Sequence, residues 1–237
     1  MTEPVIPGQA THATDHPAAH LTMNTVVHAA FRRTLARFDT ALGAFPDGSQ
    51  TRADELGRVW DFFDHELHVH HGFEEEYFWP ALQETDADLS SLAELDGEHE
   101  AMRAALAEAT TAMHALVGDP TAARAATARA SVATLTTVLL DHLAHEERDL
   151  EPISAAYMDA PSMKKALAQV KKAHFRSMGT TVEWLRDGAT AEDVAGLHAE
   201  IPRPVASTFA RLAGGRYRRE IAPVWADQAV TPGAPTA

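Results

Sequence analysis

The chain contains no cysteine in 237 residues. That excludes disulfides, thiolate metal sites and a cysteine nucleophile, and fits a cytoplasmic setting. No apolar run reaches the roughly eighteen residues that a membrane span requires. Met1–Ala10 has neither a basic stretch nor an apolar core, so no secretory signal is expected. A nucleophile elbow and a glycine-rich phosphate loop are also missing, which removes the common signatures of serine hydrolases and nucleotide enzymes. Basic residues are scarce, with 20 Lys and Arg against 34 Asp and Glu for a net charge of −14. The deficit is local: residues 1–159 hold 9 basic and 27 acidic side chains, residues 160–237 hold 11 and 7. An acidic segment of that kind repels a polyanion, so nucleic acid is not an expected partner. Lys164, Lys165, Lys171, Lys172 and Arg176 form a basic stripe at helical spacing, read as a solvated face or one that docks on the acidic part.

What is present is a repeat. His70-x3-Glu74-Glu75-x4-Pro80 returns as His142-x3-Glu146-Glu147-x4-Pro152, 72 residues on. His28-Ala29-Ala30-Phe31-Arg32-x2-Leu35 returns as His99-Glu100-Ala101-Met102-Arg103-x2-Leu106, 71 residues on. On a helix, residues four apart lie about 40° from each other and one turn along, so His70 shares a face with Glu74 and His142 with Glu146. A lone His-x3-Glu is usually a solvated pair. Two in register, each preceded by a further repeated histidine, point to metal ligation.

The turns place the four histidines together. Pro46-Asp47-Gly48-Ser49 lies midway between His28 and His70, Glu84-Thr85 midway between His70 and His99, and Asp119-Pro120 midway between His99 and His142. Helices that run up to each turn and back bring all four imidazoles to one level. With Glu74 and Glu146 as bridges, two ions would each have two histidines and remaining open positions. Imidazole and carboxylate without thiolate suit iron first, with zinc or manganese in reserve.

These motifs resemble the hemerythrin-like (HHE cation-binding) family, over roughly residues 18–159. The resemblance implies a non-haem di-iron centre that meets dioxygen, peroxide or nitric oxide, with His28, His70, Glu74, His99, His142 and Glu146 as ligands. Family members also use the carboxylate five after the last histidine, here Glu147; the repeat favours Glu146. Oxygen-carrying members place a second histidine four before the one corresponding to His99, and here that position is Leu95. The expected consequence is a more symmetric centre, suited to sensing, peroxide chemistry or iron handling more than to carriage. Binding and turnover are both compatible with such a site. A metal-stabilised module that recruits a partner is the alternative.

The expected architecture is an all-α, up-down-up-down antiparallel four-helix bundle with additional C-terminal helices. Residues 1–17 read as a loose arm. The bundle helices are expected at Ala18–Phe45, from a cap at Thr51 to a kink or stop at Pro80, from a capping box at Ser91 to Val117, and from Asp119-Pro120 to Met158. Residues 160–237 read as a helical extension with helices at Ser162–Asp187, Ala191–Glu200 and Val205–Trp225, packed on the bundle or on a partner, which includes a second copy of the chain. Tyr77 and Glu66 stand near the ligand stripe, Glu66 as an acceptor for His70. His71 and His145 point away from their ligand neighbours by about 100° and 300°, which assigns them to outer positions. His174 and His198 read as ordinary tail histidines.

Overall fold

The computed structural model describes residues 22–175 and 177–226. The arm at residues 1–17, the start expected at Ala18 and Arg176 of the basic stripe lie outside the described residues. Within them the chain is helical with no strand. The bundle is made by α1 (Met23–Gly43), α2 (Gln50–Phe73), α4 (Leu92–Gly118) and α5 (Ala122–Asp149). A π turn, Glu74–Phe78, and the short α3 (Trp79–Gln83) carry α2 onward. After α5 come α6 (Glu151–Tyr157), α7 (Pro161–His174), α8 (Met178–Arg186), α9 (Ala191–Glu200) and α10 (Arg203–Ala213). The chain then closes with a π turn at Tyr217–Ile221 and a 3-10 turn at Ala222–Trp225.

Local chemistry sets the boundaries. Thr22, Ser49 and Thr121 cap α1, α2 and α5, each accepting from the backbone N–H three residues on. The cap of α2 is thus Ser49, not Thr51, because the hydroxyl nearest the turn reaches the free N–H first. Asp119 terminates α4, while Asp47 of the first turn accepts from Ala122 N at 2.7 Å and so supports the start of α5 across the end of the bundle. Ser91 occupies the cap position of α4 but makes no side-chain cap bond.

Two prolines shape the ends nearest the ligand motifs. Pro152 has no N–H to continue the ladder of α5, which ends at Asp149 and resumes as α6. Pro80 does not stop its helix; the π turn before it takes up the irregularity, with Trp79 N donating to Glu74 O. The single helix expected over 162–187 is two. It breaks after His174, where Ser177 N and Oγ turn back onto the His174 carbonyl and ring.

Apolar stripes of the four bundle helices meet in one core, including Phe31, Phe38, Leu56, Trp60, Phe63, Met113 and Leu139. Helices α1 and α2 touch each other little. The seam between them is filled by the extension: Trp184 rests on Phe31 (ring centroids 5.1 Å) and Phe62 (5.9 Å), Tyr217 on Phe62 (5.8 Å), and Trp225 on Phe38 (5.3 Å). Trp184 Nε1 donates to Thr34 Oγ1 at 3.0 Å, so the indole is satisfied where it is buried. Around this contact, Arg33 pairs with Asp193 and Arg37 with Asp187, both at 3.0 Å. Of the basic stripe, Lys164 pairs with Asp159, and Lys165, Lys171 and Lys172 are exposed. A second apolar cluster, with Trp79, Leu82, Leu95, Leu150 and Met163, closes the bundle beside the ligand motifs.

Candidate metal centre

The last turn of α2 is where the sequence puts two histidines side by side. With His70 at angle zero, Glu74 falls at about 40° and His71 at about 100° round the helix. Glu74 therefore projects between the two imidazoles. All three side chains are buried or nearly so, and they meet His28 from α1, His99 from α4, and His142 and Glu146 from α5. Ligand atoms fall into two groups, each with its atoms within 4.8 Å of one another: His28, His70, Glu74 and Glu146, and His71, Glu74, His99 and His142.

The six residues singled out from the sequence are thus brought together, with one addition. His71 is buried, its Nε2 finds no hydrogen-bond partner, and its ring lies 4.5 Å from that of His99. The outer position expected for it is not what the structure shows. A 100° offset excludes a residue from a site one atom wide, but not from a centre with two foci. His71 restores a fifth imidazole to a set that lacks one at Leu95. The two groups are consequently unequal, three histidines against two, and the expected symmetry gives way.

Within the groups, His28 Nε2 and His70 Nε2 lie 3.1 Å apart, and His99 Nε2 and His142 Nε2 3.2 Å. His70 Nε2 is 3.2 Å from Glu74 Oε1, His99 Nε2 is 3.4 Å from Glu74 Oε2, and His28 Nε2 is 3.3 Å from Glu146 Oε2. Donor separations of this size are the edges of a coordination polyhedron with bonds of about 2.1 Å. Both oxygens of Glu74, Glu146 Oε2 and His71 Nε2 are buried without a hydrogen-bond partner. Four such atoms facing one space are costly unless a cation satisfies them. The donors fit cation binding, with Glu74 the one residue common to both groups. Glu146 belongs to one group only, and its Oε1 accepts from Asn24 Nδ2 at 3.0 Å, which differs from the expected double bridge.

Outer carboxylates orient the imidazoles. His28 Nδ1–H donates to Glu147 (2.9 Å), His99 Nδ1–H to Glu75 (2.7 Å) and His142 Nδ1–H to Glu98 (3.0 Å), which leaves each Nε2 facing inward. Arg32 grips Glu147 with two bonds (2.7 and 3.0 Å), and Arg103 holds Glu75 at 2.7 Å. The repeat already contained these supports. The first Glu of each Glu-Glu pair faces the centre and the second holds a histidine of the other helix pair, backed by Arg32 or Arg103. Glu147 is therefore an outer acceptor and Glu146 the inner carboxylate. Glu98 has no counterpart in the repeat and left no signal there.

The ligand groups are electrostatically divided. Burial, then the charge of Glu146, hold the Glu74 carboxyl well above the usual range. Burial acts the same way on Glu146, but the close approach of His28 Nε2 and the other nearby imidazoles outweigh it and hold it below that range. Burial pushes His70, His71, His99 and His142 down, toward the neutral form that ligates. Burial acts on His28 too, but the adjacent Glu146 carboxylate and the hydrogen bond to Glu147 outweigh it and raise this imidazole instead.

Other candidates sit elsewhere. Tyr77, half-buried against the second cluster, lines an outer groove with His65, His68 and His174. Glu66 accepts from Thr181 Oγ1 (3.2 Å) of the extension, and burial pushes it up to about 7. His145 bonds Glu98 at 2.7 Å, His174 bonds Ser177, and His198 faces the Ile201 carbonyl.

A helical bundle with paired His/Glu ligand groups defines a cation-binding protein of hemerythrin type. The family model of the hemerythrin HHE cation binding domain matches residues 23–154, more than half of the chain, and the chain belongs to that family. No curated protein and no solved structure matches it. No described helix is long and apolar enough to cross a membrane.

Proposed function

We propose that this protein holds two non-haem iron ions, one in each ligand group, and uses them to bind or react with a small oxidant (dioxygen, peroxide or nitric oxide). The observation that supports the reading best is the convergence of four orphaned buried donor atoms, Glu74 Oε1 and Oε2, Glu146 Oε2 and His71 Nε2, within two groups that share Glu74. Neutral imidazoles with buried carboxylates, and no thiolate, suit iron, with zinc or manganese next. Four protein donors per group are fewer than a six-coordinate ion takes, which leaves positions for an exogenous ligand. Bound iron would supply Lewis-acid and redox chemistry there. The protein's part is to hold donors at fixed separations, favour the neutral form of His70, His71, His99 and His142, and exclude bulk water with Phe31 and Trp79, whose rings lie 5.4 Å from His70 and 4.7 Å from His99.

The test is metal content of the purified chain, with absorption spectra recorded in air, after reduction and on adding peroxide. Two irons per chain and a spectrum that moves with each treatment are expected. Zinc, or iron with a silent spectrum, would overturn the oxidant reading and leave a metal-stabilised helical module.

A further inference from the structure

The internal repeat breaks at two positions beside the centre, and the breaks coincide in space. Asn24 stands where the repeat has Leu95, each four residues before its histidine. Glu151 stands where it has Trp79, each five residues after its inner carboxylate. At the three-histidine group both positions are apolar: Leu95 and Trp79 share one buried cluster, and Trp79 stacks on His99 with centroids 4.7 Å apart and planes 21° from parallel. At the two-histidine group both are polar and bonded together. Asn24 Nδ2 donates one hydrogen to Glu146 Oε1 (3.0 Å) and the other to Glu151 Oε2 (3.1 Å). One end of the centre is thus sealed with hydrocarbon. At the other a half-buried carboxyl is linked through one carboxamide to an inner ligand.

An exposed glutamate has no need of such a tether. Burial and the neighbouring Glu146 charge favour the protonated form of Glu151, while hydrogen bonds from Thr22 and Asn24 and the nearby His28 favour the ionised one. A carboxyl has an O–H to donate when protonated and oxygens that accept, so the group Asn24 holds here can hydrogen-bond a small molecule beside it.

We propose that Glu151, held in place by Asn24, forms a polar subsite at the two-histidine end of the centre, its carboxyl hydrogen-bonding the free end of a small protic or anionic ligand. The ligand class it selects is peroxide or hydroxide over bare dioxygen or nitric oxide. This rests on the reading of the centre as a metal pair open to exogenous ligands, and narrows it.

Azide, a small linear anion whose free end accepts a hydrogen bond, is the probe, used with the iron-loaded full chain. Glu151→Leu and Asn24→Leu are compared with the parent for iron per chain, azide affinity by absorption, and the azide infrared stretch in H2O and D2O. Expected are unchanged iron content in Glu151→Leu and weaker iron retention in Asn24→Leu, because Glu146 loses a donor. Azide affinity should be lower by roughly tenfold in both iron-loaded variants, as loss of one charge-assisted hydrogen bond gives, with a deuterium shift present in the parent and absent in Glu151→Leu. Glu151→Gln, which still presents a polar proton, should keep the shift. Parent-like affinity and shift in Glu151→Leu, or in Asn24→Leu should the first variant not fold, would overturn the subsite alone. A parent that holds two irons and takes no azide would overturn the small-ligand reading and the subsite with it.

Discussion

At the scale of single residues, His71 decides what kind of centre this is. It and His70 each contribute to a different ligand group, with Glu74 between them. Replacing His71 with Ala should therefore weaken one ion and His70→Ala the other, so that a metal titration of each variant shows one tight site in place of two. Loss of both ions together in each variant would show that the groups do not bind independently. The outer carboxylates give a graded version of the same test: Glu75→Gln or Glu147→Gln should weaken metal affinity by about 10–100-fold through misorientation of His99 or His28, measured by competition with a chelator. Most of this was legible in the sequence. Spacing alone picked His28, His70, Glu74, His99, His142 and Glu146, because helical periodicity turns sequence distance into direction. His71 carries no such signal, because an offset of about 100° reads as outward from the His70 group, whereas its imidazole joins the second ligand group. Asn24 escaped too, since a repeat draws attention to what recurs and Asn24 is where it fails.

At the scale of elements, the caps and breaks carry the lesson. The sequence points to Thr51 and Asp119 as caps; the chain uses Ser49 and Thr121, with Asp47 accepting a further N–H, that of Ala122, from across the turn. A cap supplied by the neighbouring loop has no local signature, because it depends on how Gly48 N meets Pro120 O at 2.8 Å. Asp47→Ala should lower the unfolding free energy by about 1 kcal/mol, as loss of a helix-start acceptor does, and a urea melt would show it; no change would mean that water replaces the bond. The split of the expected 162–187 helix was equally invisible, since Phe175 and Ser177 are not strong breakers and the bend depends on the His174–Ser177 contact. Prolines were legible as irregularities, but not the π turn that lets α2 continue past Pro80.

At the scale of the whole molecule, the extension completes the bundle's core. Trp184→Ala should cost about 3–5 kcal/mol and also reach the centre, since Trp184 supports Phe31 and Phe31 lies against His70. A thermal melt and a metal titration on the same variant separate the two effects; a full-strength centre in a destabilised variant would show that the contact does not transmit. Glu66 makes the docking of the extension pH-sensitive. Its carboxyl is held at about 7 when folded and near 4.3 when unfolded, so the folded chain keeps a proton that the unfolded chain has released. Stability contributed at this position is present below about pH 4 and is lost as pH rises through 7, by an amount on the order of 3 kcal/mol. In the metal-free chain Glu66→Gln should raise the melting temperature at pH 8 and leave it nearly unchanged at pH 4. An equal gain at both values would assign the effect to packing.

The stack of Trp79 on His99 has an optical consequence. An indole 4.7 Å from an imidazole of the three-histidine group will lose its fluorescence when that imidazole binds a redox-active, open-shell ion, and keep it when the ion is closed-shell zinc. Trp184, screened from His70 by Phe31, responds less. The chain thus carries an intrinsic reporter at one end of its centre, and titration of iron or zinc against tryptophan emission will read which ion arrives there and in what order.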